Sequence, residues 1–262
     1  MDEAAISAQR AADPATAASE WDGTFRDDVA SYLDDALIDN AVEHGRPLEL
    51  PPLVGGYTVY AAFVDAAGGT GGDAYALAVG HREGERIVID LVRDTAGRYD
   101  PEGVTKAYAS LLQEYGISTV TGDSYAAQWV AGSWSKCGVH YTRSELPKSQ
   151  IYLEAIPLFA RGLVRLPDHP RLLRELRLLE RQTHRGGRDT VDHPRGGHDD
   201  LANCVAGVLR ALSDHLGYVY DLSVDRDAVD LVLQPPKRLF PTLTDEQYLR
   251  IRQPIGPYGI PR

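Results

Sequence analysis

The sequence has few cysteines and no long apolar run. Only Cys137 and Cys204 occur among 262 residues, and they are not spaced as a CxxC pair. This pattern argues against a disulfide framework and predicts reduced, buried thiols. No apolar run reaches the 18 residues of a membrane span. The acidic first residues, MDEAA, contain no apolar signal segment, so we expect a cytoplasmic protein.

Several catalytic signatures are also missing from the sequence. No GxxxxGK[ST] motif occurs, and the glycine-rich stretch 68–72 joins two strand-like runs instead of a strand and a helix. Gly132-Ser133-Trp134 does not match the GxSxG of serine hydrolases. His184, His193 and His198 have no accompanying cysteine pattern, which disfavours a zinc site. The sequence therefore predicts no ATPase, serine hydrolase or zinc centre.

The negative net charge is unevenly distributed along the chain. The formal charge of -11 would by itself argue against a nucleic-acid partner. Most of that charge lies in residues 1–50, whereas residues 136–198 carry twelve Lys and Arg against seven acids. A basic region is therefore available to contact phosphates despite the acidic total.

The order of predicted elements indicates a mixed α/β fold. Three strand-like runs with short turns predict an antiparallel meander, and later strands are reached through helices. The predicted strands are 57–66, 74–80, 86–92, 117–121, 139–142 and 164–166, and the predicted helices are 100–115, 125–136, 150–156, 170–182 and 199–215. This order resembles the ribonuclease H-like fold, with a mixed sheet flanked by helices. We expect three regions: an acidic helical lead-in or linker at 1–50, a ribonuclease H-like domain at 51–216 and an irregular tail at 217–262.

Acidic residues stand at the ends of these predicted elements. Asp65 closes the first strand, Asp123 follows the fourth, and Asp199 and Asp200 open the last helix. A single aspartate at a strand end is usually a turn residue, and one at a helix start usually acts as a cap. Together, and in this order, they predict a centre for divalent metal ions. Asp73 lies in the loop after the first strand, where it is either a turn-former or an auxiliary ligand.

Carboxylates suit Mg²⁺ or Mn²⁺, which prefer hard oxygen ligands and often bind substrate phosphate as well. Two such ions, roughly 4 Å apart, can stabilise both the attacking water and the leaving oxygen of a phosphodiester. We assign Asp65 as the bridging ligand, Asp123 as a ligand of one ion and Asp200 as a ligand of the other. Asp199 is the alternative to Asp200, because adjacent helical residues point about 100° apart. His198 either contacts phosphate or is a solvated loop residue.

Four segments together resemble the C-terminal nuclease domain of tailed-phage terminase large subunits. They are FVDAAGG at 63–69, GDSYA at 122–126, KSQIY at 148–152 and GHDDLA at 197–202. The likeness covers about residues 57–213, and its strength lies in the order and spacing of motifs that are individually weak.

This resemblance implies a Mg²⁺- or Mn²⁺-dependent endonuclease that cuts concatemeric viral double-stranded DNA during genome packaging. The acids of the family fall on Asp65, Asp123 and Asp200, with Asp199 adjacent. Full-length family members carry a packaging ATPase, which this sequence lacks, so we expect a fragment, a split gene product or a prophage remnant. The partners implied are the DNA, a separate packaging ATPase, the portal and a small terminase subunit, in the host cytoplasm and without a membrane.

Basic residues before the Asp-Asp pair are the candidates for phosphate contacts. They are Lys148, Arg143, Lys136, Arg185 and Arg188. The arginines of the 170–182 helix either join them or form a solvated helix face. No base-reading motif is present, so little sequence preference is expected.

Two other functions remain open from the sequence. A junction resolvase or a nuclease for RNA–DNA hybrids would use the same fold and acids on another substrate. A non-catalytic module that holds DNA or docks on the portal would be favoured by the loss of an acid, and none is missing.

Overall fold

The structure is a computed structural model that describes residues 7, 29–53, 58–70, 72–123, 128–183 and 189–220. Predictions for most of the lead-in before residue 29, for Arg185 and Arg188, and for the tail beyond Tyr220 lie outside these residues. Within the described ranges, no helix combines the length and the apolar character needed to cross a membrane.

Strands of the described residues form two sheets. They are β1 (Val29–Ser31), β2 (Val42–Glu43), β3 (Tyr60–Asp65), β4 (Tyr75–Glu83), β5 (Arg86–Thr95), β6 (Thr119–Gly122), β7 (His140–Arg143), β8 (Val164–Pro167), β9 (Glu180–Thr183) and β10 (Asp189–Asp192). A seven-stranded sheet has the order β2-β8-β5-β4-β3-β6-β7, and a three-stranded sheet has the order β1-β9-β10.

The large sheet is mixed, as the sequence predicts. β3, β4 and β5 form an antiparallel meander, whereas β6, β7, β8 and β2 join it in parallel pairs. A tight turn at Gly84, whose φ is +62°, links β4 to β5, and glycine adopts this left-handed conformation without steric cost. The meander and the parallel strands beside it confirm the predicted mixed α/β class.

Helices cover both faces of the large sheet. They are α1 (Asp35–Ala41), α2 (Pro101–Glu114), α3 (Gln128–Lys136), α4 (Lys148–Ala160), α5 (Pro170–Leu178) and α6 (Asp200–Tyr220). The start of α2 follows its sequence signal, since the Asp100 side chain accepts from the backbone N–H groups of Glu102 and Gly103 at 3.1 Å.

The sheet separates two apolar cores. Successive residues of a strand point to opposite faces, so Ala62 and Val64 pack in the core of α2 and α3. Phe63 lies in the other core, which contains apolar side chains of α1, α4, α5 and α6. The end of β3 therefore lies between two packed layers, which fixes its position.

Glycines let α6 pack unusually close to the sheet. A Cβ atom at Gly207 would overlap the ring of Phe63, and one at Gly80 would lie 2.9 Å from a methyl group of Val208. Both positions thus exclude any larger residue without movement of the helix or the sheet. This close approach sets the height of the helix start above β3 and β4.

The last helix extends beyond its predicted end. It was expected to end at residue 215, before an irregular tail from residue 217, but α6 continues to Tyr220.

Two further helix ends differ from the sequence prediction. Pro157 was expected to end α4, but the helix continues to Ala160, because Leu158 and Phe159 are buried in the core. Helix α5 was expected to reach Gln182 but ends at Leu178, where Leu179 becomes extended and leads into β9. The pairing of β9 with β1 and β10 replaces the last helical turn.

Residues 29–43 are packed into the same core as the central helices. Strand β2 pairs in parallel with β8, and Leu33 and Ile38 are almost fully buried. The Tyr32 hydroxyl donates to the backbone carbonyl of Tyr152 at 2.8 Å. We propose that the folded unit starts at or before Val29, ahead of the boundary at residue 51 that composition predicts.

Candidate metal centre

Two of the predicted acids follow adjacent parallel strands. Asp65 is the last residue of β3, and Asp123 comes directly after β6. The register pairs Val64 with Gly122, so the next residue of each strand leaves the sheet at the same level. The strand pairing thereby places Asp65 beside Asp123.

The start of α6 brings a third acid to this end of the sheet. Asp200 is the first residue of the helix, and its Oδ2 accepts from the Ala74 N–H at 3.4 Å. Ala74 immediately precedes β4, whose residue Ala76 pairs with Asp65. Asp200 therefore lies at the edge of the sheet where β3 ends.

A cavity of about 420 Å³ opens at this edge, and Asp65, Asp73 and Asp123 line it. Among the described residues, Asp73, His198 and Asp200 each offer a ligand atom within 4.8 Å of the other two. This triplet differs from the predicted set of Asp65, Asp123 and Asp200. Asp73 belongs to both groups, so the loop after β3 connects the cavity with Asp200.

Burial and neighbouring acids both act on the pKa of Asp65. Burial raises the pKa of Asp65 to about 7, and the charges of Asp200, Asp123 and Asp199 act in the same direction. A hydrogen bond from Asn203 opposes this rise. The acids are therefore close enough to interact, and a bound cation would relieve their repulsion.

Asn203 is a further polar residue beside Asp65, and no sequence motif indicated it. It lies one turn into α6 and is 1% exposed, and its Nδ2 donates to Asp65 Oδ2 at 2.7 Å. Its Oδ1 is buried without a hydrogen-bond partner among the described residues. The position three residues after Asp200 on a helix was the available signal, because i and i+3 share a face.

Asp199 has partners different from those of Asp200. Its Oδ2 accepts from the Tyr152 hydroxyl at 2.9 Å and lies 3.0 Å from the Lys148 ammonium. Lys148 also donates to Asp192 at 3.0 Å. Burial alone would lower the pKa of Lys148, but these two carboxylates raise it above its usual value. Asp199 therefore links α4 to the start of α6 and holds the Lys148 ammonium group at the rim of the site.

Arg171 contacts three carboxylates and is not part of a solvated helix face. Its Nη2 donates to Asp200 Oδ2 at 2.7 Å, its Nε donates to Glu175 Oε1 at 2.7 Å, and its Nη1 donates to Asp94. Burial raises the pKa of Asp200, and the Arg171 charge opposes that rise. The sequence pattern showed only a periodic arginine and gave no sign of these long-range partners.

The donor set of this centre fits a hard divalent cation. Its ligand atoms are carboxylate oxygens, which Mg²⁺ and Mn²⁺ prefer, with one imidazole and no thiolate among the three residues grouped around Asp200. The buried Oδ1 of Asn203 is a further oxygen atom that lacks a partner. The chemistry of these side chains thus suits a divalent cation.

Solved structures share this architecture. The magnesium-bound large terminase nuclease of thermophilic phage G20c superposes with a TM-score of 0.54 at 19% identity, over 69% of this chain and 96% of that one. The chain has the fold of a large terminase nuclease domain. The Thermus phage P74-26 nuclease domain gives a TM-score of 0.50 at 20% identity, over 68% and 94% of the two chains. The HK97 bacteriophage large terminase gives 0.55 at 13%, over 70% of this chain and 44% of that one. No protein-family model and no curated protein matches the sequence.

Three of the five predicted DNA contacts belong to the residues that the structure describes. Arg143 pairs in register with Gly122 and so lies next to the Asp123 loop. Lys136 forms an ion pair with Glu102 at 3.0 Å and lines a second cavity of about 500 Å³. That cavity shares Gly68 and the partly exposed Trp129 with the acidic one. Arg185 and Arg188 belong to a segment outside the described residues.

Proposed function

We propose that this chain is a metal-dependent endonuclease of the terminase type, which cuts concatemeric double-stranded DNA during viral genome packaging. The observation that supports this most strongly is the meeting of Asp65, Asp123 and Asp200 at one edge of the sheet. These residues come from three separate elements: Asp65 ends β3, Asp123 follows the neighbouring strand β6, and Asp200 begins α6, where it accepts from the backbone N–H of the residue before β4. The fold shared with solved terminase nucleases agrees with the proposal.

Magnesium or manganese is the proposed cofactor, as a pair of ions. One G20c nuclease structure carries magnesium and another carries cobalt, which indicates how the same fold accommodates divalent ions. Asp65 would bridge the two ions, Asp123 would hold one and Asp200 the other, with Asp73 as an auxiliary ligand. When bound, the ions would supply positive charge to the attacking water and to the leaving oxygen of the phosphodiester.

The residues of the chain would orient the DNA strand and the carboxylates. Lys148 is held at the rim by Asp199, where its ammonium can face a phosphate. Tyr152 fixes Asp199, and Asn203 fixes one oxygen of Asp65, so both carboxylates keep a defined orientation. His198 is exposed beside Asp73 and is available to contact a phosphate oxygen.

Phosphate contacts would dominate DNA binding. Lys148 pairs with Asp199, and Arg143 lies opposite Gly122, the residue before Asp123. Lys136 lines the cavity that shares Trp129 with the acidic one. Arg185 and Arg188 remain proposed contacts from the sequence alone. Because these side chains would contact the backbone of DNA and not its bases, we expect binding that depends on salt and little on sequence.

The remaining partners follow only from the terminase assignment. A packaging ATPase would supply translocation, since no P-loop motif occurs in these 262 residues. The portal and a small terminase subunit are further proposed partners, in the cytoplasm of the host cell.

Cleavage of supercoiled plasmid tests the proposed function. With Mg²⁺ or Mn²⁺ the wild type should nick and then linearise the plasmid, and EDTA should abolish this activity. Asp65→Asn and Asp200→Asn should each lower the rate by more than about 100-fold, since losing even an outer-shell partner of a metal typically costs 10–100-fold. Asp168→Asn is the matched control, because Asp168 is an exposed aspartate that pairs with His44.

The pattern of products and substrates decides among the alternatives. Stronger cleavage of a four-way junction or of an RNA–DNA hybrid than of linear duplex would replace the terminase assignment by one of the two other nuclease functions. DNA binding without cleavage in either metal would indicate a module that holds DNA. Equal rates of plasmid cleavage by the wild type, Asp65→Asn and Asp200→Asn would refute the assignment of these two residues to the active site.

A further inference from the structure

We propose that Arg171 and Glu175 are positioning residues of the metal centre, which fix the start of α6 and the Asp200 carboxylate against the sheet. This inference rests on the proposed function to the extent that it assigns a metal ion to Asp200. It concerns how tightly the ion binds, and it can be tested without DNA.

Arg171 connects three elements through one guanidinium group. It belongs to α5, it donates to Asp94 of β5, and it donates to Asp200 of α6 at 2.7 Å. Asp94 pairs across the meander with Ala76, and Ala76 pairs with Asp65 on its other side. The guanidinium is therefore fixed to the same level of the sheet at which β3 presents Asp65.

Glu175 holds the backbone of the same helix start. Its Oε2 accepts from the N–H groups of Leu201 at 2.8 Å and Ala202 at 3.0 Å. These amides belong to the first turn of α6, which has no intrahelical acceptors for them. Glu175 thus caps α6 from another helix. The two amides that it binds belong to the first and second residues after Asp200.

The two residues depend on each other. Glu175 is 3% exposed, so its charge needs a partner, and Arg171 supplies one at 2.7 Å. Without Arg171, both Glu175 and Asp200 would be buried carboxylates lacking this shared cation. Arg171 and Glu175 therefore act as one unit, and removing either would free the helix start and the Asp200 side chain to shift.

A positioning role and a purely electrostatic role of Arg171 predict opposite changes in metal affinity when the residue is removed. If Arg171 acted only through its charge, its removal would take a cation away from a cation site and tighten metal binding. If it orients Asp200, its removal weakens metal binding despite the more negative site. Lysine keeps the charge but cannot reproduce the fork that reaches several carboxylates at once. Arg171→Lys therefore separates the two roles.

The test is Mn²⁺ binding to the full chain, measured by the electron paramagnetic resonance signal of free Mn²⁺. Arg171→Ala, Arg171→Lys and Glu175→Gln should each raise the dissociation constant of the tightest site by about tenfold or more, the size typical of lost outer-shell contacts. Arg177→Ala should stay within twofold, because Arg177 lies on the same helix and also pairs with two carboxylates, Asp35 and Asp39, away from the site.

A double-mutant cycle distinguishes positioning from a general structural role. In an Asp200→Asn background, Arg171→Ala should have little further effect on Mn²⁺ binding, because the oriented ligand is already lost. Circular dichroism and thermal unfolding in EDTA establish that each variant is folded, and Arg171→Lys serves if Arg171→Ala does not fold.

Each result supports or overturns the proposal. Wild-type or tighter Mn²⁺ binding by Arg171→Ala and Arg171→Lys overturns it, as does an equal effect of Arg171→Ala in the Asp200→Asn background. The proposal is supported if Arg171→Ala and Arg171→Lys weaken Mn²⁺ binding when Asp200 is intact, and Arg171→Ala has little effect in the Asp200→Asn background. Mn²⁺ binding by the wild type without plasmid cleavage would refute the proposed function and leave this inference standing. Absence of Mn²⁺ binding by the wild type would overturn both.

Discussion

Neighbouring residues at the start of α6 meet different partners. Asp199 is bound by a phenol and an ammonium group, whereas Asp200 is bound by a guanidinium and a backbone amide. The difference arises because one residue precedes the helix and the next begins it, so their side chains diverge. The assignment of Asp200 as the ligand remains a prediction, and its partners suit an oriented carboxylate at the edge of the cavity.

Asn203 provides the sharpest prediction at the scale of a single residue. Its amide is the hydrogen-bond donor to Asp65 Oδ2, so Asn203→Ala leaves that carboxylate with more rotational freedom. If Asp65 binds the metal as proposed, we expect metal-dependent cleavage to fall by about 10–100-fold, the usual size of the effect when a hydrogen-bond partner of a metal ligand is removed. Single-turnover cleavage of plasmid at saturating Mn²⁺ measures this effect.

Asn40→Ala is the control for that change, because Asn40 is an exposed asparagine on α1. It should cleave at the wild-type rate. An unchanged rate in Asn203→Ala would show that the strand alone orients Asp65.

The sequence could locate the acids but not their supports. Asp65, Asp123 and Asp200 stand at strand and helix ends, which local patterns reveal. Glu175 and Asp94 meet Arg171 only through tertiary packing, at sequence separations that no periodicity encodes. The sequence therefore left open whether Arg171 contacts DNA phosphates or belongs to a solvated helix face.

At the scale of elements, the position of α6 depends on small residues facing the sheet. Gly207 is packed against the ring of Phe63, on the strand that ends at Asp65. We expect this close packing to help hold the helix start at the end of β3. This contact could not be predicted from the sequence, because a glycine inside a helix does not indicate which side chain it packs against.

Gly207→Ala tests this dependence. Alanine favours a helix by about 1 kcal/mol over glycine, but overpacking a core costs about 1–3 kcal/mol, so a net loss of stability is expected. The added methyl group should also displace the helix from β3 and weaken Mn²⁺ binding. Chemical denaturation and Mn²⁺ titration measure the two effects.

Gly132→Ala is the matched control, since Gly132 lies in α3 and a Cβ there would meet nothing within 4 Å. This change should raise the free energy of unfolding slightly. Equal behaviour of the two variants would show that the sheet yields to the added methyl group and that the packing does not set the site.

Element boundaries show where local signals lose to packing. The proline signal predicted the end of α4 at residue 156, yet two buried side chains beyond it keep the helix going. The leucine periodicity predicted that α5 continues to residue 182, but residues 180–182 form a strand that pairs with β1. Both differences arise from contacts with distant parts of the chain, which outweigh local propensity.

At the scale of the whole molecule, residues 29–50 complete the core. Their acidic composition, and the prolines and glycines that follow at 47–56, predicted that they belong to a helical lead-in or linker outside the main domain. The structure nevertheless buries Tyr32, Leu33 and Ile38 among α4, α5 and β8, and β1 covers the edge of β9. Charge and proline content describe the surface and turns of this segment, whereas a few buried side chains decide where it belongs.

Two truncated chains test where the folded unit begins. A chain starting at Val29 keeps every one of these contacts, whereas a chain starting at Pro51 loses them. Fully burying one Leu or Ile contributes about 1.5–3 kcal/mol, so the loss of Leu33 and Ile38 alone removes a large part of a typical stability of about 5–15 kcal/mol. The chain from Pro51 should therefore unfold at a much lower temperature or aggregate through the uncovered core. Thermal unfolding followed by circular dichroism compares the two chains. If both unfold at the same temperature, the core is complete without residues 29–50, and the composition-based boundary at residue 51 stands.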